Sequence, residues 1–435
     1  MSETGRRIPT GRVNRLARLG RWGMGAAGSA AMRGAGAAVT GRSADWSDLL
    51  FTPDAVRSLS RELSRLRGAA LKVGQMLSMD AGEVLPPELA ELTARLRDGA
   101  DPMTPRQLRR VLDQAWGPDW LSRFARFNTR PAASASIGQV HRAVFKDGRE
   151  VAVKVQYPGV RASIDSDVAN VGALLTLSGL APKGFQFAPL LEEARLQLHA
   201  EADYGREARR LTDYAAALGS DDRFQIPSVH EDWSSETVLV MDWLPGGGIE
   251  KAAGQDAPER HRVFDAFLDL TLKELFELGV MQTDPNFANF LYAGPGAPLG
   301  LIDFGAVRSI SADVSEHYRA VLRAGMEGET AALGEALIGL GVMANDTPAH
   351  LRDAMIEISM LGFAPFRSGG EFNFADREFT ARMPGRILHL REAGFNHAPP
   401  PALVFIQRKL AGVYLLGARL GVSIDLASRL RRAMA

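Results

Sequence analysis

Hydrophobic and polar positions change their spacing along the chain, and each change predicts a different kind of element. Apolar side chains recur at helical spacing over residues 51–96, which predicts helices there. Two β-rich runs, 140–145 and 151–155, flank the sequence Lys146-Asp147-Gly148. An Asp-Gly turn between two such runs predicts a β-hairpin.

The pattern changes again after the hairpin. A polar helix is expected over roughly 188–218, and an apolar strand follows over 237–243. Beyond Gly246 the chain is mostly helical, interrupted over 281–291 and by a strand over 299–303. The order is a helical extension, a small β-rich lobe and a larger helical lobe, which is an α+β arrangement.

A linker is expected between the first helices and the β-rich lobe. Glycine and proline residues are concentrated over 98–105, which is typical of a connection. Thr104 followed by Gln107 predicts a capping box for a helix that ends near Trp116. We therefore divide the chain into a basic leader (1–48), a helical extension (49–118), a small lobe (119–245) and a large helical lobe (246–435).

Composition excludes several classes of site. The 435 residues include no cysteine, so disulfides, cysteine-ligated zinc, iron–sulfur clusters and a cysteine nucleophile are ruled out. The 51 basic and 51 acidic residues balance, which argues against a nucleic-acid partner. Only seven of the basic residues are lysines. Because lysine and arginine differ in shape and hydration, a retained lysine in this chain is more often one that the chemistry requires.

The first 42 residues form a basic segment with eight arginines and one acid, Glu3. Three interpretations remain open: a solvated leader, a helix on an anionic membrane surface, or a mitochondrial presequence. No stretch reaches the roughly 20 apolar residues that span a bilayer, so no transmembrane helix is expected. We expect a cytoplasmic protein, attached peripherally to the inner face of the membrane if the leader binds lipid.

A loop of small residues precedes the hairpin. Residues 133–140 read A-S-A-S-I-G-Q-V and align with the phosphate-cradling pattern G-x-G-x-x-G-x-V. Alanine replaces the first two glycines, so we expect a stiffer loop with a changed fit to the γ-phosphate. The expected nucleotide-binding residues are Ala133, Ser134, Ala135, Ser136, Gly138, Val140, Ala152, Lys154 and Met241.

Residues 151–154 read V-A-V-K and match the strand whose lysine pairs with the α- and β-phosphates of a nucleotide. Such a lysine is held by a glutamate from a nearby helix. Glu207 on the polar helix is our choice for this partner, ahead of Glu201 and Asp203. Asp203 and Glu207 would then share one helix face.

Two further motifs predict a phosphoryl-transfer site. Asp284 and Asn289 have the spacing of D-x-x-x-x-N, and Asp303-Phe304-Gly305 follows an apolar strand. Asn289 and Asp303 supply the hard oxygen ligands that Mg²⁺ prefers, and Asp284 would orient or deprotonate an attacking hydroxyl or water. Thr283 replaces the arginine of H-R-D, and neither A-P-E nor a long activation segment follows Gly305. We interpret this as the lack of an ordinary docking platform for a protein substrate.

Over residues 50–425 the chain resembles the UbiB/ADCK family of atypical protein-kinase-like proteins. Lys72-Val73-Gly74-Gln75 matches the family's K-x-G-Q, and Glu201-Ala202-Asp203 matches its E-x-D. The Ala-rich loop matches with Ser134 where alanine is usual. Residues 407–412, Q-R-K-L-A-G, resemble the C-terminal helix signature.

The resemblance implies a bilobal protein-kinase-like fold with N-terminal helices over the active site. Lys72 and Gln75 would point inward, with Lys72 near Glu201 and Asp203. It also implies ATP or ADP with Mg²⁺, and a link to ubiquinone or another isoprenoid lipid. Protein partners are not identified, and a homodimer is left open.

Three functions remain open from the sequence. The first is an Mg²⁺-dependent ATPase or small-molecule phosphotransferase, with Lys154, Asp284, Asn289 and Asp303 as its core. The second is a nucleotide-gated module that binds or extracts isoprenoid lipids. The third is a conventional protein kinase, against which the missing A-P-E argues.

Overall fold

The computed structural model describes residues 68–80, 102–178, 187–367, 369–376, 383–395, 397 and 399–434. The leader and the helices expected over 51–67 and 81–96 lie outside the described residues. The chain divides into two compact units. Unit 1 holds the described residues up to Arg209 together with Ser228–Trp243, and unit 2 holds Arg210–Pro227 and the described residues from Leu244 onward.

The described strands and helices are numbered in chain order. The strands are β1 (Phe124–Phe127), β2 (Ala133–Ser134), β3 (Gly138–Phe145), β4 (Glu150–Gln156), β5 (Phe224–Gln225), β6 (Val238–Asp242), β7 (Gly247–Gly248), β8 (Val280–Gln282), β9 (Phe290–Tyr292), β10 (Leu299–Leu301), β11 (Val307–Ser309), β12 (Phe372–Asn373) and β13 (Ser423–Ile424). The α-helices are α1 (Gly68–Asp80), α2 (Pro105–Trp116), α3 (Val160–Ser178), α4 (Phe187–Glu201), α5 (Tyr204–Leu218), α6 (Ala257–Lys273), α7 (Ala312–Glu327), α8 (Thr330–Gly339), α9 (Ala349–Arg367), α10 (Met383–Glu392), α11 (Pro401–Leu420) and α12 (Leu426–Met434).

Unit 1 is built on an antiparallel sheet in the order β1-β3-β4-β6, with β2 also paired to β3. The expected hairpin is confirmed as β3 and β4, joined at Gly148, whose φ of +90° suits glycine. The expected strand over 237–243 is confirmed as β6. Alternating apolar positions bury one face of this sheet against α2, which begins with the predicted Thr104–Gln107 capping box.

The remaining helices of unit 1 form a second apolar cluster. Helices α1, α3 and α4 share a core that includes Val73, Val171, Leu190 and Leu198. The single polar helix expected over 188–218 is wrong, because the chain forms α4 and α5 with a break at Ala202-Asp203. Aspartate competes for backbone N–H groups, so it starts a new helix here.

Unit 2 is mainly helical and carries short ladders. The strands are arranged as β5-β10-β9-β7, β8-β11 and β12-β13. Helix α6 continues into a π-helical turn, Glu274–Leu278, which ends at Gly279 with φ of +64°. The strand expected over 299–303 stops at Leu301. Among the described residues, no helix combines the length and apolar content that crossing a membrane requires.

Candidate active site

A buried ion pair joins β4 to α5 in unit 1. The Lys154 Nζ donates to Glu207 Oε1 at 2.7 Å and to Oε2 at 2.9 Å. The two side chains are 9% and 2% exposed. A charge this deeply buried needs a partner with good geometry, and both carboxylate oxygens supply one. The predicted choice of Glu207 is the pairing that the structure contains.

The sheet register places four of the expected nucleotide-binding residues on one face. Val140 is opposite Lys154 across β3 and β4, and Ala152 is opposite Met241 across β4 and β6. Directly opposed residues project to the same face, and residues two apart on a strand do as well. The apolar side chains of Val140, Ala152 and Met241 therefore lie on the same face of the sheet as the Lys154 side chain.

The Ala-rich loop is a tight turn rather than an open loop. Ala133 and Ser134 form β2, and the Ala135 N–H donates to the Gly138 carbonyl at 2.9 Å. A Cβ at Gly138 would lie 2.4 Å from the Val155 carbonyl oxygen and 2.9 Å from the Tyr204 hydroxyl. The glycine is required by close packing against β4, not by a positive φ.

Sequence reasoning missed Tyr204, the residue that follows the E-x-D motif. Its ring centroid lies 5.2 Å from the Lys154 Nζ, which is cation–π distance. The ring is buried, so it adds a second stabilising contact to the ammonium. An aromatic residue next to an acidic motif is a weak signal on its own, since most such residues belong to the core.

The K-x-G-Q helix meets the end of the Ala-rich loop within unit 1. The Lys72 Nζ lies 2.6 Å from Glu201 Oε1, and these side chains are 5% and 16% exposed. The Ser136 hydroxyl donates to the other oxygen of Glu201. A Cβ at Gly68 would lie 2.4 Å from the Ser136 carbonyl oxygen, so α1 packs directly against this loop. Gln75 falls within α1, and its side chain lies outside the described residues.

Asp203 caps α5 rather than extending α4. Its Oδ1 accepts the Arg206 N–H at 2.9 Å, and its carbonyl accepts the Glu207 N–H at 3.0 Å. The expectation that Asp203 and Glu207 share the face of one continuous helix is therefore wrong. Asp203 instead orients the first turn of the helix that carries Glu207.

In unit 2 the two expected metal ligands lie at neighbouring strand ends. Phe290 on β9 is opposite Leu301 on β10, and the Ile302 N–H donates to the Asn289 carbonyl at 3.2 Å. Because the strands are antiparallel, Asn289 before β9 and Asp303 after β10 lie at the same end of this ladder. Among the described residues, Asn289 Nδ2 is buried without a hydrogen-bond partner. The side chains of Asn289 and Asp303 each carry oxygen atoms that can ligate a metal ion. The pair fits the donor set that Mg²⁺ prefers.

A two-strand ladder holds the segments around Asp284 and Asp303 together. Gln282 on β8 is opposite Val307 on β11, and the Thr283 hydroxyl donates to the Ala306 carbonyl at 2.8 Å. Asp284 follows β8, and its Oδ1 accepts the Asn286 N–H at 3.2 Å. Thr283, where H-R-D has its arginine, therefore makes a local neutral bond to the segment after Gly305.

The chain contains little between this ladder and the next helix. Strand β11 ends at Ser309, and α7 begins at Ala312 with Ser311 as its N-cap. The stretch from Asp303 to α7 is fully described, and it holds no long activation segment. This agrees with the expectation from the sequence.

Comparison with known proteins identifies the family. A sequence profile for the ABC1 atypical kinase-like domain matches residues 95–337, more than half of the chain. The atypical kinase COQ8 (mitochondrial) of Saccharomyces cerevisiae is 35% identical over 98% of this chain and 86% of its own length. The atypical kinase COQ8B (mitochondrial) of Rattus norvegicus is 36% identical over 96% of this chain and 80% of its own length.

A solved structure supports the fold. The structure of the Rv3197–erythromycin complex from Mycobacterium tuberculosis matches with a TM-score of 0.58 and 26% identity, covering 86% of this chain and 94% of the other. The antiparallel sheet of unit 1 and the helices of unit 2 are those expected for a protein-kinase-like α+β fold. These matches confirm the UbiB/ADCK resemblance drawn from the motifs, and the chain therefore belongs to the ABC1 atypical kinase-like family as an atypical kinase.

Proposed function

We propose that this protein binds Mg-ATP and catalyses ATP hydrolysis or phosphoryl transfer to a small acceptor. The buried Lys154–Glu207 pair is the observation that carries the proposal. It holds an ammonium beside a face of small and apolar residues, and phosphoryl transfer depends mainly on positioning and charge neutralisation.

Each residue has a role in this proposal. Lys154 contacts the α- and β-phosphates, and Glu207 holds the ammonium in place. The backbone of residues 133–138 lies along the phosphates, while Val140, Ala152 and Met241 contact the base. In the reaction, an acceptor oxygen attacks the γ-phosphorus, the bond to the bridging oxygen breaks, and its electron pair leaves with ADP. Asp284 accepts the proton of the acceptor.

Asn289 and Asp303 would hold Mg²⁺, which supplies neutralisation of the phosphate charge. The Gly305 N–H donates to Asp303 Oδ1 at 3.0 Å, which orients the carboxylate. Lys72, Gln75, Glu201 and Asp203 complete the proposed set. The Lys72–Glu201 pair lies against the Ala-rich loop, where it would fix the loop and restrict access by a large protein substrate.

The metabolic context is also part of the proposal. The UbiB/ADCK resemblance points to ubiquinone or another isoprenoid lipid. The short connection between Asp303 and α7 supports a small or lipid acceptor over a protein substrate, because it provides no extended segment on which a peptide would dock.

The test is Mg²⁺-dependent ATP hydrolysis by the full chain, with and without anionic liposomes. Asp303→Asn is compared with Asp147→Asn, a matched substitution in the exposed β3–β4 turn. We expect hydrolysis that lipid stimulates, that Asp303→Asn abolishes and that Asp147→Asn retains. Hydrolysis that survives Asp303→Asn would contradict the proposal, and so would its absence from the wild type under every condition.

A further inference from the structure

A second buried lysine–glutamate pair lies in unit 2, away from the motifs that the proposed reaction uses. Lys409 on α11 and Glu274, at the start of the π-helical turn, are both 0% exposed. The Lys409 Nζ lies 3.1 Å from Glu274 Oε2, an ion pair without hydrogen-bond alignment. The ammonium also lies 5.1 Å and 4.8 Å from the ring centroids of Phe267 and Phe290.

The carboxylate of Glu274 joins three separate elements. Its Oε1 accepts the Tyr214 hydroxyl of α5 at 2.7 Å and the Gln282 N–H of β8 at 2.9 Å. Its Oε2 faces Lys409 of α11. Burial and the nearby carboxylate raise the pKa of Tyr214 well above its usual value, so its hydroxyl stays a donor.

The residues that contact this pair lie close to the proposed catalytic and metal-binding groups. Each is within two residues of one of these groups in sequence, or packs against a residue that is. Gln282 precedes Asp284 by two residues, and Phe290 directly follows Asn289. The Tyr214 ring lies 5.0 Å from the ring of Phe304, which directly follows Asp303. The buried charge pair is thus connected, through these contacts, to the segments that carry Asp284, Asn289 and Asp303.

Helix α11 reaches the same region through two further contacts. A Cβ at Gly412 would lie 2.6 Å from the Pro285 Cβ, so the helix packs closely on the residue after Asp284. The Arg308 guanidinium lies 3.6 Å from the ring centroid of Phe405, linking α11 to β11. With Lys409 between them in sequence, these contacts run along one helix.

Stability alone does not account for the pair. Apolar residues of similar volume can replace a buried ion pair with little loss of stability, or with a gain. What an apolar pair cannot supply is an acceptor for the Gln282 N–H and the Tyr214 hydroxyl. The directional bonds from Glu274 are therefore the feature that the charge pair adds.

We propose that Glu274 and Lys409 are positioning residues: the Glu274 carboxylate, held by Lys409, fixes the β8 segment and thereby the placement of Asp284. Neither side chain is exposed, so neither contacts the nucleotide. This inference rests on the proposed ATP hydrolysis for its kinetic readout only.

The experiment compares two double variants that both remove the buried charges. Lys409→Met/Glu274→Gln keeps a carbonyl acceptor at residue 274, whereas Lys409→Met/Glu274→Leu removes it. The single variant Lys409→Met, which leaves the carboxylate without its counterion, and the matched control Lys273→Met complete the set. The Lys273 Nζ donates to the Leu218 carbonyl at 3.4 Å and makes no contact with Glu274 or Lys409 among those that the structure gives for it. All variants are assayed below the melting temperature of the least stable one.

The readouts are kcat and KM for Mg-ATP, and hydrogen–deuterium exchange at residues 280–290. The Glu274→Leu double variant should lose about 10- to 100-fold in kcat with little change in KM, since small misplacements of reacting groups have effects of this size. Its exchange at Gln282 should rise. The Glu274→Gln double variant should recover most of both, and Lys273→Met should match the wild type.

Equal kcat and equal exchange in the two double variants would overturn the proposal. A kcat that simply follows melting temperature across the set would also overturn it. If the wild type hydrolyses no ATP, the proposed function fails, and the exchange at Gln282 still decides whether Glu274 fixes this segment.

Discussion

The two buried lysine–glutamate pairs differ in what their lysines can reach. Lys154 in unit 1 keeps 9% of its side chain exposed and makes two aligned bonds to Glu207. Lys409 in unit 2 has no exposure and a less aligned contact with Glu274. In the two proposals, the lysine with residual exposure presents a cation to a ligand, and the lysine without exposure helps to fix a backbone segment.

Lysine is scarce in this chain, yet it supplies the buried cations that the structure describes. Among the described residues, three lysines (Lys72, Lys154 and Lys409) are buried, and no arginine is. Lysine carries a compact ammonium on a flexible stem and arginine a larger planar guanidinium, so the two residues are not interchangeable at these buried positions. The scarcity of lysine noted in the sequence is thus consistent with its use at sites of close packing.

The largest expected effect comes from removing the Lys154 ammonium. Lys154→Met should lower the rate of ATP hydrolysis about 10²- to 10³-fold, because a preorganised charge at the phosphates is lost. Steady-state hydrolysis with purified protein measures this. Lys146→Met, in the exposed turn of the same hairpin, is the control and should retain full activity. A Lys154→Met variant as active as this control would break the contrast between the two pairs.

The packing of the Ala-rich loop gives the next effect. Gly138→Ala places a methyl group against the Val155 carbonyl and should destabilise the protein by about 1–3 kcal/mol, as overpacking does. Chemical denaturation measures the free energy of unfolding. Gly254→Ala, where no atom lies within 4 Å of the added Cβ, is the control. Equal stability of the two variants would show that the loop yields freely.

In unit 2 the matching test is the contact between α11 and the residue after Asp284. Gly412→Ala pushes on Pro285, so kcat should fall while KM for Mg-ATP changes little. Gly385→Ala on α10 adds the same methyl group in open space and should leave kcat unchanged. A fall in nucleotide affinity instead of kcat would place the effect outside the Asp284 segment.

The smallest expected effect is a pH dependence in unit 1. Burial lowers the pKa of His141. Its Nε2 contacts the Gln139 Nε2, and its Nδ1 contacts the Asn128 carbonyl oxygen. As pH falls, His141 therefore takes up a proton near pH 6.5 in the unfolded chain and only at lower pH in the folded chain. The free energy of unfolding should therefore fall as pH drops below 6.5 and level off below the folded-state pKa.

Melting temperatures between pH 7.5 and 5.5 test this dependence. His141→Gln should flatten the slope, and His389→Gln, on the exposed surface of α10, should leave it unchanged. A slope that His141→Gln does not alter would assign the pH dependence to other groups.

Local signals predicted a large part of the fold and of the site in unit 1. The β3–β4 hairpin follows from alternating residues around an Asp-Gly turn, and the α2 capping box from Thr104 and Gln107. The Lys154–Glu207 pairing follows from a motif with a defined place on a strand. For the hairpin and the capping box neighbouring residues specify the structure, whereas the Lys154–Glu207 pair joins residues 53 apart whose separate motifs indicate the pairing.

What the sequence could not predict depends on contacts between distant segments. The break at Asp203 interrupts a stretch that the sequence pattern predicts as one polar helix, and the three-residue strands β8 and β11 are too short for a periodic signal. In the sequence, Glu274 and Lys409 have no feature that distinguishes them from other helical glutamates and lysines. Their pairing arises only from the packing of distant segments. From the sequence, Tyr204 is expected to be a core aromatic residue. Its contact with Lys154 depends on how α5 packs against the sheet.

Equilibrium binding of Mg-ADP to the wild type, Lys154→Met and Lys409→Met/Glu274→Gln tests the central claim most directly. Titration calorimetry should show that the wild type and the unit 2 double variant bind with similar affinity, and that Lys154→Met loses at least about tenfold, the equivalent of 1.4 kcal/mol. Undiminished binding by Lys154→Met, or no binding by the wild type, would contradict the assignment of Lys154 as the phosphate-binding residue.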